Sequence, residues 1–111
     1  MPATFNVDAL KAELELDHED VVELIGEFRT FLEESMVELG KAFDAGELTK
    51  ARSVAHSIKG SAGNLRVSEV FETSKSMQFM LDEGQEKEAS DLFLTLKEQA
   101  QAFLAESENF S

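Results

Sequence analysis

The sequence predicts an all-α fold, an antiparallel up-down-up-down four-helix bundle with a short accessory helix at its N-terminal end. Apolar residues recur at i, i+3 and i+4 over nearly the whole 111-residue chain, and no stretch keeps the alternation of a half-buried strand. The breaks between the periodic segments are only a few residues long, and short connections favour antiparallel neighbours. The single proline, Pro2, precedes the first periodic segment, so no helix interior is interrupted.

Each element has its own signature. The opening helix rests on Val7, Leu10 and Leu14 and ends near Leu16, after which Asp17 or His18 begins the next. The long second helix carries Val21, Leu24, Ile25, Phe28, Leu32, Leu39 and Phe43 as far as the turn signal Asp44-Ala45-Gly46. The third spans about Leu48 to Leu65, with Leu48, Ala51, Ala55, Ile58, Ala62 and Leu65 on its core side. In the fourth, Val67, Val70, Ser74, Met77 and Leu81 lead to a stop at Glu83-Gly84. The fifth uses Ala89, Leu92, Phe93, Leu96, Ala100 and Phe103. No linker, repeat or low-complexity stretch divides these segments, so residues 1–111 read as one domain.

Composition removes several classes of function. The chain has no cysteine, which excludes a disulfide framework and a thiolate zinc site, and no signal-peptide layout; a reducing, cytoplasmic setting is expected. No apolar run approaches the roughly 20 residues that a membrane helix needs. The formal charge of −13 repels phosphate backbones and anionic lipid, so neither nucleic acid nor membrane is an expected partner. His18 and His56 lie 38 positions apart, and the carboxylates are scattered without ligand spacing. Neither a metal of its own nor a hydrolytic constellation is expected, and a monomer is.

The charge is uneven. From Leu48 to Ser68 there is no Asp or Glu, while Lys50, Arg52, Lys59 and Arg66 all fall there. On a wheel of about 100° per residue, Arg52, Lys59, Gly60 and Gly63 lie within roughly 60° of His56, on the side away from the core residues. An imidazole is a nucleophile near neutral pH because its ordinary pKa is about 6.5, and Lys59, one turn away, would attract the oxygens of a phosphoryl group. Each interior glycine costs a helix roughly 1 kcal/mol against alanine. Gly60 and Gly63 are therefore read as clearing the surface beside the ring for an approaching protein.

These residues resemble the histidine-containing phosphotransfer (HPt) domains of multistep two-component phosphorelays. That family's pattern, A-H-x-x-K-G-x-x-x-x-hydrophobic-G, is met by Ala55, His56, Lys59, Gly60 and Leu65, with small residues at Ser61, Ala62 and Gly63; its last glycine is replaced by Arg66. The resemblance implies a phosphoryl carrier without kinase activity, accepting the group on Nε2 of His56 from a receiver-domain aspartate and passing it to another receiver. Its partners would be the receivers of response regulators or of a hybrid sensor kinase, and the Mg²⁺ would sit on the receiver. It also implies a polar residue on the following helix that supports the imidazole. If the chain reverses near Val67, His56 and Gln78 are each 11 positions from the turn and lie level. Arg52, Arg66, Gly60 and Gly63 are expected to face the partner, with exposed parts of Val7, Leu10 or Leu14 on the first helix forming one side of the seat. The competing reading is an acidic helical interaction module that undergoes no phosphotransfer.

Overall fold

The computed structural model describes residues 7–108; Pro2 lies outside them. Five helices follow one another in the order α1 (Val7–Leu14), α2 (His18–Asp44), α3 (Leu48–Asn64), α4 (Ser68–Asp82) and α5 (Glu86–Ser107). No strand occurs among the described residues. Helices α2 to α5 pack each against the next, α2 also packs on α5 to close the ring, and α1 lies on α2.

The connections obey local chemistry. Asp17 caps α2 by accepting a 2.9 Å hydrogen bond from the Asp20 amide, which satisfies one of the amides that a helix start leaves open. Gly46 and Gly84 take positive φ of 70° and 76° in the turns after α2 and α4, where a side chain would be strained. At the turn between α3 and α4 the left-handed position is held by Arg66, with φ of 60°, a conformation that costs a non-glycine residue roughly 1–2 kcal/mol. Its guanidinium offsets that cost locally. It donates to the carbonyls of Gly63 (2.9 Å) and Asn64 (3.2 Å) at the end of α3 and pairs with Glu13 of α1 at 2.8 Å.

The core runs along the bundle axis through Ile25, Leu32, Leu39, Ile58, Met77, Leu96 and Phe103, all almost wholly buried. On α3 the buried face is made mostly of small residues, with Ala51, Ala55 and Ala62 completely enclosed. Small side chains let neighbouring backbones come close, so α3 is held firmly and its opposite face is fixed in direction. That face carries His56. The core also takes Leu10, which is fully buried between α1 and the bundle and has no surface to offer a partner. An amphipathic helix of two turns has room for one wholly inward residue, and Leu10 is that residue; the expectation that it joins a docking surface is corrected. Leu14 remains 38% exposed.

Candidate functional site

Helices α3 and α4 form an antiparallel hairpin whose side chains meet in level rungs. Gly63 faces Phe71, His56 meets Gln78, and Arg52 meets Asp82; the members of each pair stand 4, 11 and 15 positions on either side of Val67. A helical hairpin brings equidistant residues level, and the apolar registers of α3 and α4 select which of them face one another.

The middle rung holds the candidate histidine. His56 is exposed, and its Nδ1 lies 3.2 Å from Oε1 of the half-buried Gln78. An amide oxygen only accepts, so in this arrangement Nδ1 bears the ring proton and the lone pair belongs to Nε2. The nitrogen that keeps a free lone pair is thus selected by the neighbour of the other nitrogen. Gln78 sits where the turn geometry of the sequence placed it.

One turn away, Arg52 donates through Nε to Oδ1 of Asp82, with a second, longer contact of 3.4 Å from Nη2 to Oδ2. The hydrogen bond from Arg52 holds the Asp82 carboxyl below its ordinary range, with the positive charges of Arg52 and Lys59 acting in the same direction, while Asp82 raises the guanidinium. Asp82 feels Lys59 although the two are on different helices. Helical side chains lean toward the N-terminus of their own helix, which for Lys59 is the direction of His56 and Arg52. Sequence reasoning missed Asp82. The signal that finds it is the rule that found Gln78, since Arg52 and Asp82 are also equidistant from Val67.

The two glycines part company here. Around Gly60 a Cβ would meet nothing within 4 Å, so the surface next to His56 is open on that side. A Cβ on Gly63 would stand 3.1 and 3.2 Å from two ring carbons of Phe71. Gly63 therefore serves the packing of α4 on α3, a role that the sequence reading did not give it. The stripe that carries the histidine runs along the α3–α4 seam, so Phe71 fills the space that a wheel of α3 alone leaves empty. Gly63→Leu should destabilise the domain by about 1–3 kcal/mol through overpacking, read as a lowered melting temperature, despite the better helix former.

Arg66 is likewise drawn into the structure. Its bonds to Glu13 and the end of α3 fasten α1 to the bundle, and it stands ten residues from His56, roughly 15 Å along the helix and beyond at 1.5 Å per residue. This structural role was not foreseen from the sequence, and the Arg66 side chain remains 45% exposed while fulfilling it. Near the same end, Leu14, Leu24, Phe28, Phe31, Ser61 and Leu65 line an open, mostly apolar groove between α1, α2 and α3 that borders Gly60 through Ser61. Among the described residues no group of three or more His, Cys, Asp or Glu side chains gathers as a metal site, and no helix is long and apolar enough to cross a membrane.

A family model described as the Hpt domain matches residues 23–106. No curated protein and no solved structure matches the chain.

Proposed function

The chain belongs to the Hpt domain family, phosphoryl carriers of phosphorelays that are not kinases, and from that premise we propose that His56 is the residue that carries the phosphoryl group. The observation that supports the assignment is the contact between His56 Nδ1 and Gln78 Oε1, which leaves Nε2 as the nucleophile. In the forward step Nε2 attacks the phosphorus of a receiver's aspartyl phosphate. The N–P bond forms as the P–O bond breaks, and the electron pair leaves with the carboxylate. Attack by a neutral ring leaves positive charge on the phosphorylated imidazole with the proton still on Nδ1, where the Gln78 oxygen accepts it, and a hydrogen bond from a charged donor is about twice as strong as a neutral one. The reverse step, attack by a second receiver's carboxylate on the same phosphorus, returns the ring to neutrality.

Phosphoryl transfer passes through a loose transition state that needs positioning and charge neutralisation more than covalent help from the protein. Lys59, one helical turn from His56, supplies positive charge here, and the receiver supplies Mg²⁺. The seat for the receiver combines the open surface at Gly60 with the Leu14–Phe31 groove, on a cytoplasmic monomer with an up-down-up-down course. Lys59→Ala should slow transfer by about 10- to 150-fold, since a hydrogen bond to a charged group is worth about 1.5–3 kcal/mol. Its melting temperature should stay close to the parent's, because a half-buried lysine keeps its charged head in water and gains little stability from that charge. A time course of label transfer beside a thermal melt measures both.

The decisive experiment mixes the protein with a panel of phosphorylated receivers and follows the label. Rapid appearance of an acid-labile, alkali-stable phosphate on this chain supports the carrier reading. Binding to receivers with no labelling from any of them would favour the interaction module instead.

A further inference from the structure

We propose that Arg52 is a second phosphoryl-binding residue, parked on Asp82 while His56 is bare and drawn across to the phosphoryl oxygens once His56 is phosphorylated. The inference rests on the carrier reading of His56 and concerns what surrounds the group after transfer.

Three observations lead there. Arg52 and His56 are four apart on α3, so their Cβ atoms are about 5–6 Å from each other. Helical side chains lean toward the N-terminus of their helix, which for the His56 imidazole is the direction of Arg52. Asp82 stands in the same relation to Gln78 on α4, and the two cross-helix contacts form adjacent rungs. A phosphoryl group on Nε2 therefore comes to lie between Lys59 on one side and Arg52 on the other.

The exchange is favourable on charge alone. The Arg52 and Asp82 side chains are 46% and 42% exposed, and an ion pair so open to water is held only weakly. A phosphoryl group carries about −1.5 to −2 charges and three strong acceptors, and it matches the guanidinium fork as well as a carboxylate does. Asp82 holds only one negative charge. It keeps the arginine ordered beside the site in the resting state, and by competing for it sets how strongly the phosphorylated state is held.

The test uses the full chain phosphorylated with phosphoramidate, a small donor that needs no receiver, and follows the phosphohistidine by ³¹P NMR. The His56 signal is the one missing from His56→Gln. A nearby cation favours the dianion, so the pH midpoint of the ³¹P shift reports whether Arg52 is on the phosphoryl group. Arg52→Gln should raise the midpoint by about half a unit, and Asp82→Asn should lower it by freeing the arginine. Arg52→Gln/Asp82→Asn should match Arg52→Gln more nearly than the sum of the single effects, as coupled residues do. Arg66→Gln, which removes a cation of the same type from the far end of α3, should leave the midpoint in place. An unchanged midpoint in Arg52→Gln overturns the inference while the carrier reading stands. A parent protein that takes up no phosphoryl group on His56 overturns both.

Discussion

His56→Gln should leave the protein unlabelled by every phosphorylated receiver that labels the parent, while its helical signal and melting temperature are nearly unchanged. The two halves of that result have separate causes. His56 is exposed, its contact with Gln78 lies at the surface, and Gln is an adequate helix former, so the substitution falls among surface changes worth within about 0.5 kcal/mol. The chemistry has no such tolerance. An amide nitrogen has its lone pair delocalised and cannot attack phosphorus, and no neighbouring side chain substitutes for the imidazole. Gln78 only accepts at the atom that faces the ring, and Lys59 and Arg52 are cations. Loss of label should therefore be complete, to the background of the assay. Label that persists would have to reside elsewhere, with His18 at the start of α2 the first position to examine, and would remove His56 from the carrier role.

The all-helical fold was legible because each helix writes its apolar face into the chain and the turns between them are short. The boundaries in the structure, such as Leu48–Asn64 for α3 and Ser68–Asp82 for α4, fall within three residues of those read from periodicity. The level pairing of His56 with Gln78 was legible for a stronger reason. A short turn fixes the register of a helical hairpin, so counting outward from Val67 is a geometric statement and needs no knowledge of the rest of the bundle. Asp82 was available to the same count and was overlooked because acidic residues are common in this chain and a single one draws no notice.

What the sequence could not show were relations to a neighbour's side chains. Gly60 and Gly63 sit at about 40° and 20° from His56 on the wheel, and nothing along α3 distinguishes them. The difference is supplied by α4, whose Phe71 reaches Gly63 and leaves Gly60 clear. Leu10 and Leu14 are equally apolar, and only the docking angle of α1 on α2 decides that the first is enclosed and the second partly open. Arg66 read as a free cation because its charge was visible and its backbone was not. The left-handed φ that the turn demands brings its guanidinium back over the end of α3, where carbonyls and Glu13 occupy it.

Gly60 yields the sharpest separation of folding from function. Because a Cβ there would meet nothing within 4 Å, Gly60→Ala should stabilise the domain by about 0.5–1 kcal/mol, the gain of a better helix former and a less mobile unfolded chain. Gly60→Gln should fold as well as the parent, its side chain extending into solvent one turn beyond His56. Transfer should respond in the opposite sense. The receiver must bring its phosphorylated carboxylate into line with Nε2, and a misplacement of about 1 Å in such a step costs about 100-fold. A glutamine side chain several ångströms long on the approach path should therefore slow transfer by two orders of magnitude or more, with the alanine variant between it and the parent. Thermal melts and transfer time courses on the same three proteins decide the matter. Should Gly60→Gln melt well below the parent, the open space around this glycine is refuted and it belongs with Gly63 as a packing residue. Should it transfer at the parental rate, no partner passes over Gly60, and the receiver's seat must lie on the other flank of His56, toward α4.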